Sequence, residues 1–332
     1  MELTTHVDIP KSTDCIAHDH RLLALGSCFA DEMGERMRAD KFDVMVNPFG
    51  VLYNPASIAA LLLRALSERP YTTDSPELFS NGELWHSWMH HSSFSAPTRE
   101  ALLQKMNATM AAVGQRLREA DWLIVTFGSS YVYRLQATDM LVANCHKQPE
   151  ALFVRSRMAA YDIVDQWTPL LQLLRSVNPR LKVLFTVSPI RHRRDGLHEN
   201  QLSKAELLLA VDGLTKHAHA SFLHYFPSYE ILLDELRDYR FYADDLVHPS
   251  RMAADYVYER FCNTFVSPDE QAISRQCREI AAAVAHKPFN PESNAHRQFV
   301  ERVLQKINQI KTAHPCLDFD AEIELCNIQL NK

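Results

Sequence analysis

The chain has 332 residues, 46% hydrophobic and 23% charged, with a formal net charge of −6 and a pI near 6.2. This composition is typical of a soluble globular protein, and the lack of a basic excess argues against a nucleic-acid partner because nothing would neutralise phosphates. The polar first residues, MELTTHVDIPKSTD, lack the apolar core of a signal peptide, and no apolar run approaches the roughly 20 residues that cross a bilayer. Seven scattered cysteines without a CxxC pair favour reduced thiols. We therefore expect a cytoplasmic protein with no nucleic-acid or membrane partner.

Short apolar runs alternate with amphipathic helical patterns along most of the chain. The predicted elements are, in order, a strand at 21–26, a helix at 30–40, a strand at 42–47, a helix at 54–68, a helix at 98–119, a strand at 121–128, a helix at 158–177, a strand at 181–189, a helix beginning at Ser203, a strand at 221–227, and helices at 269–286 and 293–313. The helix start at Ser203 is predicted from the capping-box spacing of Ser203 and Glu206. Residues 70–97, which are rich in Ser, His and aromatic side chains, are predicted to be an insertion.

Five strands alternating with helices predict a parallel sheet covered on both faces, with ligands bound at the carboxyl ends of the strands. Polar residues follow every predicted strand: Ser27 and Cys28, Asn47 to Gly50, Ser129 to Tyr131, Ser188 to His192, and, after a short helix, Asp245 and His248. The last pair has the spacing Asp-x-x-His, so the carboxylate can bind one imidazole nitrogen and leave the other free to act as a base. A nucleophile, a base and a group that orients the base are what acyl transfer requires. A solvated aspartate and a histidine near a proline turn remain an alternative interpretation.

Several blocks of the sequence together resemble the GSCFA domain family. They include LGSCFADEMGERM, NPFGVLYNP, VTFGSSYVYR, VANCHKQPE, SPIRHRRDG and YFPSYEILLDELRDYRFYADDLVHPS, and they run from about residue 20 to 260. The family is placed within the SGNH/GDSL hydrolase superfamily, and the resemblance implies a flavodoxin-like three-layer α/β/α sandwich with a five-stranded parallel sheet. We expect this domain at 18–264 and a helical C-terminal extension at 265–332.

The resemblance also implies a nucleophile directly after the first strand. The superfamily motif reads Gly-Asp-Ser, and laid on Gly26 it places the nucleophile at Cys28, with Ser27 in the position of the aspartate. A slip of one residue would make Ser27 the nucleophile. We favour Cys28, because a thiol at a helix N-terminus and beside an imidazolium is expected to have a lowered pKa. Two small turn residues without chemistry are the remaining alternative.

The same resemblance implies three oxyanion donors: the nucleophile's own N–H, a glycine N–H after the second strand, and an asparagine side chain after the third. Gly50 matches the second donor. No asparagine stands at the third position, and Asn144 is our first candidate for it and Ser130 our second. Asn144 could also be a simple turn former. The candidates for substrate binding are Asn47, Tyr131, Arg191 and His192, although solvated surface charge is an alternative for the basic cluster at 191–194.

A zinc site is a rival interpretation of the insertion, since His86 and His90 are four residues apart with Glu83 and His91 nearby. We favour instead an aromatic loop over the pocket, and expect no metal and no cofactor. The expected function is that of an acyl hydrolase acting on a small or glycan acyl ester. The alternatives are an acyltransferase with an acyl-CoA-type donor and a ligand-binding protein without turnover. The helical tail is a candidate for homo-oligomerisation.

Overall fold

The computed structural model describes residues 4–194, 196–216 and 221–331. The strands of these residues are β1 Arg21–Gly26, β2 Asp43–Val46, β3 Leu78–Ser80, β4 Trp85–Ser87, β5 Trp122–Phe127, β6 Tyr131–Leu135, β7 Leu141–Val142, β8 Phe153–Arg157, β9 Lys182–Val187 and β10 Leu223–Phe226. The helices are α1 Cys28–Ala39, α2 Pro55–Ser67, α3 Arg99–Glu119, α4 Ala160–Val177, α5 Leu197–Thr215, the short α6 Ser228–Glu230, α7 Arg251–Phe265, α8 Pro268–Ala285, α9 Asn294–Ala313 and α10 Asp320–Leu330.

Five strands form one parallel sheet in the order β10-β9-β5-β1-β2. Leu23 of β1 pairs with Leu123 of β5, which in turn pairs with Val183 of β9. The chain winds outward in both directions from the β1–β5 pair, which is the flavodoxin-like order, so the crevice for a ligand is expected at the carboxyl ends of β1 and β5. The predicted three-layer α/β/α fold and its C-terminal helices are confirmed.

Every second residue of the central strands faces the core beneath α2, α3, α4 and α5. The buried side chains on this face include Leu23, Leu25, Leu123, Val125, Phe185 and Val187. Strands that are covered on both faces read as continuous apolar runs, and this explains why β1, β5 and β9 were evident in the sequence.

Two features of the predicted pattern are wrong or incomplete. The helix expected to begin at Ser203 begins at Leu197, so Ser203 lies within α5 and is buried. A small antiparallel sheet, β7-β6-β8, and a hairpin, β3–β4, were not predicted. Their strands have two to five residues, too short for an alternating pattern to stand out.

The chain divides into two compact units. The first unit comprises Met1–Ile9, Arg21–Gly34 and Met45–Tyr258, and the second comprises Pro10–His20, Glu35–Val44 and Glu259–Lys332. The second unit has its own apolar cluster, formed by side chains of α8, α9 and α10. Within the described residues, no helix combines the length and the apolar character that crossing a membrane requires.

Candidate active site

The turn between β1 and α1 depends on Gly26. Its φ of +142° lies where side-chain-bearing residues are rarely found, and a Cβ at this position would lie 2.1 Å from the carbonyl oxygen of Thr126. The N–H of Ser27 donates to that same oxygen at 3.2 Å, and α1 begins at the next residue, Cys28. The glycine therefore lets β1 stay against β5 until the chain turns abruptly into the helix that carries the thiol.

Asn47 braces this turn from the end of β2. Its side-chain oxygen accepts the N–H of Gly26 at 2.8 Å, and its Nδ2 donates to Oδ1 of Asp31 at 2.8 Å and to the carbonyl of Ser27 at 3.5 Å. Both ends of the amide are thus occupied within the protein. Asn47, which we predicted to bind substrate, is better described as a residue that positions the turn.

The loop after α6 brings an imidazole to the thiol. Sγ of Cys28 lies 3.6 Å from Nε2 of His248, and Nδ1 of His248 lies 2.6 Å from Oδ2 of Asp245. Oδ1 of Asp245 also accepts the N–H groups of Val247 and His248, at 2.9 and 3.0 Å. Because a carboxylate accepts the Nδ1–H, Nε2 of the neutral ring is the acceptor that faces the thiol. The side chains of Asp245 and His248 are 49% and 47% exposed, so the pair is open to solvent on one side.

The surroundings favour opposite protonation states for the Cys28 thiol and the Asp245 carboxyl group. Burial raises the pKa of the Cys28 thiol, and Asp31 and Glu32 raise it further, against the opposing N–H groups of Cys28 and Phe29. The lowered pKa that we predicted for this thiol is therefore wrong, since desolvation outweighs the helix N-terminus. Hydrogen bonds from the backbone and the ring of His248 lower the pKa of Asp245 to about 2. The resting site thus holds a neutral thiol and an ionised carboxylate.

Ser27, the other candidate nucleophile, does not face the imidazole. Its side chain is 1% exposed, and its hydroxyl oxygen accepts the N–H of Phe29 at 3.3 Å. It caps the first turn of α1, which is a structural task typical of serine before a helix. Of the two neighbours, Cys28 is the one that the structure brings to His248.

The predicted oxyanion donors do not gather at the thiol. The N–H of Gly50 donates to the carbonyl of Asn47 at 2.7 Å and so closes a turn. The hydroxyl of Ser130 donates to Ser203 at 3.1 Å and is fully buried. The side-chain oxygen of Asn144 accepts the N–H of His146 at 2.8 Å, which is the turn-forming role that we left open. Among the described residues, none of the three contacts Cys28 or His248.

Gly50 instead serves packing between loops. Its φ is +78°, and an added Cβ would lie 2.1 Å from Cβ of His91 in the insertion. The turn at the end of β2 thus approaches the insertion more closely than any side chain would permit.

The predicted substrate-binding residues have different surroundings. The hydroxyl of Tyr131 donates to Glu199 at 2.6 Å, and the guanidinium of Arg155 lies 3.7 Å from its ring centroid. The side chain of Tyr131 is therefore committed to neighbours in the protein. Nε2 of His192 donates to the carbonyl of Gly128 at 3.1 Å, at the carboxyl end of β5.

Arg191 is attached to the loop that carries the imidazole, because its N–H donates to the carbonyl of Val247 at 3.2 Å. Its guanidinium lies 3.9 Å from the ring centroid of Tyr242. Beside it is a cavity of about 140 Å³ lined by Pro189, Arg191, Leu197, Asn200, Gln201, Tyr229, Leu232, Leu233, Tyr239 and Tyr242. Of the substrate-binding candidates, Arg191 is the one that lines a cavity next to this loop.

The histidines of the insertion form an aromatic layer. Nδ1 of His86 and of His90 each bonds a serine hydroxyl, and His86 packs against Phe79. Burial lowers the pKa of His90 to about 3 and also lowers that of His86, so both rings are neutral near pH 7. In the part of the chain that the structure describes, no group of three or more His, Cys, Asp or Glu side chains could hold a metal ion.

Two residues of the site were missed in the sequence. The carbonyl of Tyr53 accepts the N–H groups of Gly128 and Ser129. Burial raises the pKa of its hydroxyl, and the negative charges of an ionised Cys28 and of Asp31 raise it further. The second is Lys204, which is buried in α5. The burial of Lys204 could have been predicted from the sequence, because residues 200, 204, 207 and 211 recur with a helical period that places them on the buried face of α5.

The fold and the site define a doubly wound α/β protein that carries a thiol at the end of its first strand and an Asp–His pair beside it. Residues 21–261 match the GSCFA family, and residues 277–332 match the C-terminal domain of GSCFA domain proteins. The chain belongs to the GSCFA family. Comparison with curated protein sequences gives no match.

Proposed function

We propose that the protein is an acyl hydrolase that uses Cys28 as nucleophile, His248 as general base and Asp245 to hold the imidazole. The observation that carries the proposal is the unbroken series of contacts from Sγ of Cys28 through His248 to Asp245, at 3.6 and 2.6 Å. The protein supplies no other base within hydrogen-bonding distance of the thiol among the described residues. The proposed reaction needs no bound cofactor.

The raised pKa of the thiol defines the order of events. Sγ attacks the acyl carbon as its proton passes to Nε2 of His248, and the ring, now cationic, is stabilised by the ionised Asp245. The leaving alcohol takes the proton from Nε2 as the tetrahedral intermediate collapses to a thioester. Water, deprotonated by the same nitrogen, then hydrolyses the thioester and restores the thiol.

The negative charge of the tetrahedral intermediate requires donors near Cys28. The N–H groups of Cys28 and Phe29 both favour a thiolate at this position, but that of Phe29 already donates to the hydroxyl of Ser27 at 3.3 Å. We assign the oxyanion site to the N–H of Cys28, at the N-terminus of α1, rather than to Gly50, whose N–H is occupied.

We also infer a relation to the SGNH/GDSL hydrolases. Three features support it: the strand order of the sheet, the nucleophile directly after β1, and the Asp-x-x-His pair late in the domain. Small acyl esters, including acylated carbohydrates, are the substrates expected on this basis.

The test is hydrolysis of a chromogenic acetyl ester, with mass spectrometry of the Cys28 peptide after rapid quenching. Wild type should hydrolyse the ester and show an acetylated Cys28, and His248→Asn and Cys28→Ala should each lose at least about a hundredfold in kcat/KM. Two matched controls should retain activity: Ser27→Ala, which removes the neighbouring hydroxyl, and Cys316→Ala, which removes an exposed free thiol. Equal rates for wild type and Cys28→Ala would refute the proposal.

Acyl transfer is a second candidate, favoured by the choice of a thiol. A thioester reacts readily with amines and thiols, so the acyl-enzyme can pass its group to an acceptor instead of water. Adding alcohol, amine or sugar acceptors to the same assay measures this partition. An acylated acceptor formed at the expense of free acid, and only when Cys28 is present, would identify a transferase.

A further inference from the structure

Lys204 is a buried cation with no carboxylate partner in the described part of the chain. It lies in α5 and is 1% exposed. Its Nζ donates to the carbonyls of Gly128 and Ser188, at 2.7 and 2.6 Å. These carbonyls belong to the residues that directly follow β5 and β9, the two adjacent strands at the centre of the sheet. The ammonium is thus anchored at the carboxyl edge of the sheet, where the candidate site lies.

A structural role alone does not account for a lysine at this position. Replacing a buried charge with an apolar side chain of similar volume is often neutral or stabilising, because desolvating the charge costs more than its hydrogen bonds return. Two carbonyls could equally be satisfied by a neutral donor. The retained charge therefore points to an electrostatic task at this edge of the sheet.

The thiol is the reactive group beside this charge, because Gly128, whose carbonyl accepts the ammonium, packs against the residue that precedes the thiol: a Cβ at Gly128 would lie 3.2 Å from Cβ of Ser27. Lys204 and Cys28 interact electrostatically, since a negative Cys28 favours the charged form of the amine. Pairwise electrostatic interaction is reciprocal, so the ammonium favours the thiolate in turn, against the larger opposing effects of burial, Asp31 and Glu32. We propose that Lys204 is a positioning residue for the charge of Cys28, and that its ammonium stabilises the thiolate and the anionic intermediate that forms from it. The inference rests on the proposed function only in taking Cys28 as the nucleophile.

The same residue makes the nucleophile sensitive to pH. Burial lowers the pKa of Lys204 to about 7, against the opposing effect of Cys28. The other groups that face the amine are His192, which shares the carbonyl of Gly128, and the ring of Tyr229, 5.7 Å away. A neutral amine still has two N–H donors for its two carbonyls, so loss of the proton removes the charge and leaves these contacts in place. Below about pH 7 the thiolate is favoured by a positive neighbour, and well above it this support is gone.

The experiment measures thiol reactivity rather than hydrolysis. The rate of iodoacetamide alkylation of the Cys28 peptide is followed by mass spectrometry from pH 5.5 to 9.5 in wild type, Lys204→Met and Lys204→Gln, with exposed Cys316 as internal reference. At pH 6 both variants should react about tenfold more slowly, the effect of one pKa unit on the thiolate fraction, and the three rates should converge above about pH 8.5. Lys216→Met, an exposed lysine at the end of the same helix, should match wild type throughout.

The proposal would be overturned if the Lys204 variants were alkylated at the wild-type rate at pH 6. It would also be overturned if their alkylation were slower by the same factor at every pH, because that result indicates a structural change and not the loss of a charge. If neither Lys204 variant folds, the coupling can be measured from the other side by nitrogen NMR of the lysine amine. Cys28→Asp should raise the pKa of Lys204 relative to Cys28→Asn, because a negative charge at this position favours the ammonium. Identical values in these two variants would also overturn it. A protein that shows the coupling without hydrolysing esters would keep this inference and lose the proposed function.

Discussion

Replacing Asn47 with alanine tests how firmly the turn that carries the thiol is held. The change leaves the buried N–H of Gly26 without its acceptor, which costs about 2 kcal/mol, and removes the amide that bonds Asp31, which is worth about 1 kcal/mol. Asn47 also has a φ of +41°, a conformation that asparagine tolerates better than alanine by about 1 kcal/mol. We therefore expect the free energy of unfolding to fall by about 4 kcal/mol.

Urea unfolding followed by circular dichroism measures this loss, and alkylation of Cys28 reports whether the thiol has moved. Asn47→Gly is the matched variant, because it loses the same hydrogen bonds without the backbone penalty. It should be about 1 kcal/mol more stable than Asn47→Ala. A loss below 1 kcal/mol for the alanine variant, with unchanged alkylation, would show that the turn does not depend on this side chain.

Three further predictions concern the loops around the site. Gly50→Ala should lower stability by at least about 2 kcal/mol more than Gly82→Ala, as measured by thermal unfolding, because both glycines have positive φ but only the first has a neighbour that a Cβ would strike; equal losses would refute the steric argument. His90 is neutral when folded, so stability should fall as pH drops from about 6.5 towards 3, by about 1.4 kcal/mol per pH unit for this group, and unfolding of His90→Leu at several pH values should lack that share of the slope. Asp245→Asn should reduce kcat and shift the acid limb of the pH–rate profile to lower pH, because the carboxylate of Asp245, whose pKa of about 2 keeps it ionised throughout the assay range, no longer stabilises the cationic ring of His248; an acid limb that stays in place would contradict the assignment.

The sequence was most informative where side chains are buried in regular elements. β1 has the predicted bounds, and β5, β9, α2 and α3 lie within a residue or two of them, because apolar runs and caps are local signals. The sheet β7-β6-β8 was missed because its strands mix polar and apolar residues, and because 17 residues, which include β7, separate β6 from its partner β8. The start of α5 was misplaced because Ser203 and Glu206 mimic a capping box inside a helix that had already begun at Leu197.

The site was predicted in part. The rule that reactive groups gather at the carboxyl edge of a parallel sheet placed Ser27, Cys28, Asp245 and His248 among a larger set of candidates. The choice of Cys28 over Ser27 came from the resemblance to the superfamily motif. The oxyanion donors did not follow, since whether an N–H is free depends on hydrogen bonds that only the folded loops reveal: that of Gly50 closes a turn. Lys204 was missed for a different reason, because a lysine within a helical pattern is ordinarily taken to be on the solvent face.

The charges around Cys28 bear on the substrate. Asp31 and Glu32 both disfavour a negative charge on the sulfur. A third carboxylate, that of Asp245, lies on the far side of the His248 imidazole from the sulfur. These carboxylates would repel an acyl group that has a negative charge next to the reacting carbonyl, whereas they would not repel a neutral acyl group. The cationic side chain of Arg191 lines the cavity next to the loop that carries His248. For the proposed hydrolase, we expect this distribution of charge to favour esters with a neutral acyl group, and to tolerate a negative charge on the alcohol portion better than on the acyl portion.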